Sequence, residues 1–247
     1  MEERTRKAAQ AYEALLKKTV LFQDLKDEEL ISALGIFRAR FMSYERQETL
    51  HGTGEPLPSF GMVLYGAVQA LSDDLGGNRM IMAVVGPGGT FGESLAFLKI
   101  RETPVYIVAR ENSGVLWLSP DFFFSGKADA FTRDLRCRFT AMLAARALAQ
   151  NDRIQILSKL SIREKLITLF TELAREQRST VFTLPFDRED MAAYIGTNRS
   201  ALSRELSRMK KEGLIDYYGK TVRILKGPNA WKSPPLPQNS WNNPPTH

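Results

Sequence analysis

The spacing of apolar residues along the chain changes twice and divides it into three parts. Residues 1–35 hold short amphipathic stretches, for example from Asp27 to Leu34, that predict helices. From about Phe41 onwards, short apolar runs alternate with glycine-rich turns, as expected for an antiparallel sandwich or roll. The runs predicted as strands are Gly61–Tyr65, Met80–Val85, Val105–Val108 and Val115–Leu118.

After Pro120 the pattern becomes helical. A short helix is predicted first, followed by a long one over roughly residues 129–158, rich in alanine. Its larger apolar residues recur at a spacing compatible with one helical seam: Leu135, Phe139, Met142, Leu148, Ile154 and Leu157. Such a seam favours dimerisation through this helix, and an ordinary core helix is the alternative.

A capping box marks the start of the next part. Ser161 is followed three residues later by Glu164, the arrangement that opens a helix. Residues 227–247 hold six of the twelve prolines and little charge, which predicts a disordered tail. The predicted domains are therefore residues 1–128 (effector domain with flanking helices), 129–158 (dimerisation helix), 159–226 (DNA-binding domain) and 227–247 (tail).

Composition excludes several kinds of site. The 247 residues suffice for two domains of ordinary size. Cys137 is the single cysteine, so neither a disulfide framework nor an iron–sulfur cluster with four cysteine ligands is expected. The histidines are His51 and His247 alone, which argues against a metal site. No apolar run is long enough to span a bilayer and no signal sequence is evident, so no membrane association and a cytoplasmic location are expected.

Positive charge is concentrated near the end of the chain. Residues 1–120 carry 13 Lys and Arg against 15 Asp and Glu, a balance of −2. Residues 197–226 carry 8 against 3, a balance of +5. A localised basic face suits a polyanion such as DNA.

The segment from residue 187 to residue 225 predicts a helix-turn-helix followed by a β-hairpin. Asp187 is placed to cap a helix over Arg188–Tyr194, and Gly196 supplies the turn. Thr197 or Asn198 caps a second helix, whose inner face carries Leu202, Leu206 and Met209. Gly219 and Lys220 then form the two-residue loop of the hairpin, the wing of a winged helix.

The outward side chains of the second helix and of the wing have the chemistry of DNA recognition. Arginine matches the N7 and O6 edges of guanine, and serine or threonine reaches phosphates or base edges. Lys220 and Arg223 are placed to meet the DNA backbone. The predicted DNA-binding residues are Thr197, Asn198, Arg199, Ser200, Ser203, Arg204, Arg208, Lys220 and Arg223.

The run Gly196-Thr197-Asn198-Arg199-Ser200-Ala201-Leu202-Ser203-Arg204 resembles the recognition helix of the CRP/FNR family of bacterial transcription regulators. The resemblance covers most of residues 12–226. It implies an α+β fold, with an N-terminal antiparallel β-roll like a cyclic-nucleotide-binding jelly roll, a long dimerisation helix and a C-terminal winged helix-turn-helix. It also implies that Arg199 and Arg204 read bases. Ser200 stands where the family often has a glutamate that accepts from cytosine, so the family's commonest target sequence does not carry over.

The same resemblance predicts an effector site in the roll. Phe91-Gly92-Glu93-Ser94 matches the segment that holds the cyclic phosphate and ribose in nucleotide-binding members. The arginine and serine that follow in those members fall on Thr103 and Pro104, while Arg101 lies two residues early. Because this clamp is altered, the expected effector is a small anion or aromatic acid rather than a cyclic nucleotide. The predicted effector-binding residues are Gly92, Glu93, Ser94, Arg101, Thr103, Gln150 and Asn151.

Together these features predict a homodimeric transcription regulator that binds a two-fold operator in double-stranded DNA under the control of a small-molecule effector. A constitutive regulator with a vestigial effector pocket is the alternative. RNA polymerase is a further candidate partner. No catalytic constellation is evident, so no enzyme activity is expected, and neither a cofactor nor a metal is predicted.

Overall fold

The computed structural model describes residues 2–73, 79–126, 129–184 and 187–226, with backbone alone at residues 73 and 79–81. The predicted tail, residues 227–247, lies outside the described residues. The chain divides into two units at residue 147, within one long helix.

The first unit begins with helices and continues into strands. Helices α1 (Glu3–Ala11), α2 (Glu13–Leu16) and α3 (Asp27–Ile36) come first. The strands are β1 (Arg40–Tyr44), β2 (Thr49–His51), β3 (Phe60–Tyr65), β4 (Val68–Asp73), β5 (Arg79–Val85), β6 (Thr90–Phe91), β7 (Tyr106–Ala109) and β8 (Ser113–Leu118). Helix α4 (Glu93–Phe97) follows β6, and a 3-10 helix (Pro120–Phe124) follows β8. All four strands predicted from the sequence are present.

The strands of the first unit form two antiparallel four-stranded sheets among the described residues. Their orders are β1-β8-β3-β6 and β2-β7-β4-β5. The central pair β3 and β8 is buried on both faces because alternate side chains point to opposite sides. Val63 and Val115 belong to the core shared with residues of the second sheet, whereas Met62 and Leu116 belong to the core shared with the helices. This is the predicted antiparallel β-roll.

Helix α5 (Ala130–Leu157) occupies the stretch predicted to be one long helix, but it does not use its apolar residues as one seam. Leu135, Phe139 and Met142 are buried in the core of the first unit. Leu148 and Ile154 are 67% and 63% exposed. The proposed seam was therefore wrong in its first half, because those side chains complete the core of their own chain.

The second unit contains α6 (Ile162–Glu176), β9 (Val181–Thr183), α7 (Arg188–Tyr194), α8 (Arg199–Lys211), β10 (Ile215–Tyr218) and β11 (Thr221–Ile224). Its strands form a sheet in the order β10-β11-β9. The predicted capping box is confirmed, since the Ser161 hydroxyl accepts from the Glu164 amide and the Glu164 carboxylate accepts from the Ser161 amide. No helix among the described residues is both long enough and apolar enough to cross a membrane.

Gly61 tests how tightly the sandwich interior is packed. A Cβ at Gly61 would lie 2.1 Å from Cζ of Phe91, whose ring packs edge-on against Trp117. We expect Gly61→Ala to lower the free energy of unfolding by about 1–3 kcal/mol, because rigid neighbours must shift. Gly35→Ala is the matched control: nothing lies within 4 Å of its Cβ position in α3, so stability should hold or rise by up to about 1 kcal/mol. Urea unfolding of both variants gives the comparison, and equal effects would contradict this packing.

Candidate nucleic-acid interface

The first helix of the predicted helix-turn-helix is fixed by its cap and its buried face. The carboxylate of Asp187 accepts from the backbone N–H groups of Glu189 and Asp190, at 2.9 and 2.8 Å. Met191 and Ala192 are buried in the core of the second unit. The predicted helix boundaries and cap are confirmed.

Gly196 makes the turn between the two helices. Its φ of 65° lies in the left-handed region, which glycine adopts at no steric cost. A Cβ there would lie 3.1 Å from the Cδ2 of Leu157. Glycine therefore serves both the reversal of the chain and the close approach of neighbouring side chains.

Helix α8 has one buried face and one exposed face. Leu202, Leu206 and Met209 are buried at successive turns. Asn198 caps the helix, since its Oδ1 accepts from the Ala201 amide at 2.8 Å. The residues predicted to face DNA are exposed, except for the partly buried Thr197: Asn198, Arg199, Ser200, Ser203, Arg204 and Arg208.

The hairpin after α8 forms as predicted. Tyr218 pairs with Thr221 across the loop of Gly219 and Lys220, and Gly219 has a φ of 56°. Lys220 and Arg223 are exposed. Strand β9, which the sequence pattern did not indicate, pairs with β11 and places Phe182 opposite Val222. The three-residue length of β9 gave too weak a periodic signal for detection.

Arg163 of α6 is an anchor for α8 that the sequence analysis missed. Its Nε donates to Glu205 at 2.6 Å, and its two terminal nitrogens donate to Glu212 at 2.7 and 2.8 Å. These hydrogen bonds raise the pKa of Arg163 and hold the pKa of Glu212 below its usual range. Arg208, a predicted DNA contact, donates to Glu205 at 3.3 Å. Its guanidinium therefore already has a carboxylate partner within the chain.

A second missed arginine lies at the start of α7. The guanidinium of Arg188 stacks over the ring of Tyr217 in β10, 4.7 Å from the centroid. Burial lowers the pKa of Arg188, and its Nη1 has no hydrogen-bond partner among the residues that the structure describes. The contact fastens the wing to the helix pair. No signal in the sequence distinguished Arg188 from the other arginines.

The predicted effector residues of the first unit differ in burial and in hydrogen bonding. Gly92, with a φ of 78°, precedes α4, and Glu93 is buried with its carboxylate accepting from the Thr90 hydroxyl. Ser94 and Arg101 are exposed.

Thr103 is committed to the turn at residues 51–55. It is 1% exposed, and its hydroxyl donates to the carbonyls of Gly52 and Glu55 at 3.2 and 3.1 Å. Nε2 of His51 lies 2.9 Å from the same hydroxyl. Thr103 therefore holds this turn in place. In the second unit, Gln150 and Asn151 are exposed on neighbouring positions of α5.

Comparisons with known proteins agree with both units. The profile of the cyclic nucleotide-binding domain matches residues 41–125, and that of the Crp-like helix-turn-helix domain matches residues 164–228. A cyclic AMP receptor protein of Thermus thermophilus is 27% identical over 85% of this chain and 94% of its own length. The transcriptional activator FnrA of Stutzerimonas stutzeri is 26% identical over 73% of this chain and 75% of its own.

Solved structures share the fold. FixK2 from Bradyrhizobium japonicum aligns with a TM-score of 0.56 at 23% identity, covering 76% of this chain and 93% of that chain. The regulator CLP of Xanthomonas campestris aligns with a TM-score of 0.57 at 17% identity, covering 81% and 98%. At these identities the alignments establish the α+β fold alone.

Asn198 allows the capping role to be separated from DNA contact. We expect Asn198→Ala to lower the free energy of unfolding by about 1 kcal/mol through loss of the cap. Asn198→Asp should retain the stability, because aspartate caps equally well, but should weaken DNA binding by setting a negative charge against phosphate. Ser207→Ala, at an exposed position of α8 that is not a predicted DNA contact, is the control. If Asn198→Ala unfolds at the same urea concentration as the parent, the cap is not stabilising.

Proposed function

We propose that this chain, which belongs to the CRP/FNR family of bacterial transcription regulators, binds a two-fold operator as a homodimer under the control of a small molecule. That it is a DNA-binding transcription regulator, and not an enzyme, follows from its family. The assembly, the effector and the residues in contact with DNA are the proposal.

The observation that carries the proposal is the exposed basic face of α8. Its buried positions leave Arg199, Ser203 and Arg204 pointing away from the core of the second unit. Asn198 at the start of the helix and Lys220 in the wing extend this face. A helix in the major groove with a wing on the backbone uses such a surface, where arginine forks read guanine and lysine neutralises phosphate.

The dimer is proposed to form through the exposed face of α5. Cys137, Ala144, Leu148, Asn151 and Gln155 are all exposed and follow one another at intervals of seven, four, three and four residues. This face lies opposite Leu135, Phe139 and Met142 on the helix, since about 3.6 residues complete a turn. Small and apolar side chains there allow close approach of a second helix. Two copies related by a two-fold axis would read half-sites roughly 34 Å apart.

An effector of the first unit is proposed to be other than a cyclic nucleotide. Pro104 stands where the family's nucleotide clamp has a polar residue, and it lacks both an N–H and a hydroxyl. Arg101 lies two residues before the position of the family's arginine, in the loop that precedes β7 and not on a strand. Gln150 and Asn151 of α5 stay candidate contacts for such an effector.

A constitutive regulator with a vestigial pocket is the second candidate. The Glu93 carboxylate already accepts from Thr90, and Thr103 already bonds the turn at 51–55. Polar groups that are satisfied within the chain gain little from a ligand. A metabolite library screened by thermal shift separates the candidates, because a compound that binds the folded chain raises its melting temperature.

The proposed partner, chromosomal DNA, would place the protein in the cytoplasm. RNA polymerase stays a candidate partner if the regulator activates transcription.

DNA recognition is tested by truncating the arginines of α8. We expect Arg199→Ala and Arg204→Ala each to cost about 1–3 kcal/mol of specific binding and to relax preference at one base pair. Lys220→Ala should weaken binding to all sequences alike and reduce the salt slope by about 1. Gel shifts with selected and random duplexes, at several salt concentrations, measure both effects. Unchanged affinity and preference in Arg204→Ala would mean that α8 is not the recognition helix.

The dimer is tested by a matched pair of substitutions on α5. Ala144→Glu places a carboxylate in the centre of the exposed face and should produce a monomer, because like charges would meet across the two-fold axis. Ala149→Glu, also exposed but off that face, should stay dimeric. Light scattering with size exclusion gives the mass of each variant. A dimer in both cases would place the interface elsewhere.

A further inference from the structure

A cavity of about 500 Å³ lies in the first unit, apart from every residue predicted to bind an effector. One wall is the segment around α2, including Leu15 and Leu21, and another is the turn Pro87–Thr90. Val20 and the edge of Met142 in α5 contribute further apolar surface, above the fully buried Met62 of β3. Its volume is that of a small-molecule site, and its lining is mainly apolar with a few polar groups, as such sites require.

The glycines of the turn shape this wall. Gly88 has a φ of 80°, and a Cβ there would lie 3.3 Å from Cδ1 of Leu15. Gly89 has no room for a side chain either, because its Cβ would lie 2.7 Å from Cγ1 of Val85. The turn therefore approaches the helical segment closely because these two positions have no side chains. For the same reason, no side chain from these two positions fills the cavity beside the turn.

Two cations line the cavity without a carboxylate. Lys18 follows α2, and Arg146 lies one turn after Met142 on the same face of α5. Neither forms a salt bridge with any residue that the structure describes. The neighbouring Lys17 differs, since it binds Glu13 and Asp27 at 2.6 and 2.5 Å. Two positive groups beside apolar surface favour a ligand that has an anionic head and an apolar body.

We infer that this cavity binds an amphipathic carboxylate, with its head between Lys18 and Arg146 and its apolar body against Leu15, Val20 and Met142. Arginine offers a fork that matches a carboxylate, and the flexible side chain of Met142 adapts to a hydrocarbon chain. The cavity is also lined by Thr90, whose hydroxyl donates to Glu93. A ligand here would contact α5 and β6 together. Binding can be measured without DNA, so its failure leaves the proposed DNA binding untouched.

Decanoate is the probe, and calorimetric titration of the full chain is the measurement. Decanoate should bind with a measurable Kd, whereas decan-1-ol and decyltrimethylammonium, of the same chain length, should bind at least about tenfold more weakly. The double variant Lys18→Gln/Arg146→Gln should lose about tenfold in affinity for decanoate and change little toward decan-1-ol. Unaltered thermal unfolding of the unliganded double variant would show that the charges are not needed for folding.

Arg133→Gln is the control, because Arg133 is an exposed cation of α5 that lies outside the cavity lining and has no predicted binding role. Its affinity for decanoate should equal that of the parent. The inference is overturned if the parent does not bind decanoate, if the double variant binds it as tightly as the parent, or if decyltrimethylammonium binds equally well. Loss of decanoate binding in Arg101→Gln, with the double variant unaffected, would also overturn it, because the ligand would then lie near the predicted effector residues.

Discussion

Burial of one face of α8 sets the direction of the side chains that this helix contributes to the candidate interface. Leu202, Leu206 and Met209 enter the core of the second unit, so the rotation of the helix about its axis is fixed. Arg199 and Arg204 are exposed as a consequence of that burial. The hydrophobic term is large at each of these positions, roughly 1.5–3 kcal/mol per fully buried side chain. The exposure of the polar face of α8 therefore does not depend on stabilising contacts of its own side chains.

Ion pairs fix the position of α8, whose rotation about its axis is already set by burial. Arg163 holds both Glu205 and Glu212, seven residues apart on α8 and just beyond its end, so the helix is fastened at two points along one side. The bonds also neutralise two carboxylates that would otherwise add negative charge beside the basic face. Glu205 accepts from both Arg163 and Arg208, whereas Arg199 and Arg204, the proposed base readers, are exposed.

Sequence patterns predicted what depends on local periodicity and capping. Gly196, Asp187 and the loop at Gly219 each follow from backbone rules that act within a few residues, and all are found as expected. Long-range pairing could not be predicted in the same way. Arg163 lies 42 residues from Glu205, and nothing in the spacing of either residue signals the contact. Likewise, the apolar residues of α5 share a helical period, but their division between the core and the surface is a tertiary property.

The effector region shows why residue identity alone is a poor guide to a binding site. Glu93 matches the family segment, yet its carboxylate is buried against Thr90 and is not presented to solvent. Lys18 and Arg146 match no motif, and they became candidates only because the fold brings them to one cavity. A buried, satisfied polar group contributes to stability, whereas a cation without a partner beside apolar surface is still able to gain from an anion. The proposed carboxylate site beside Met142 therefore depends on where the fold places two cations, and not on a sequence motif.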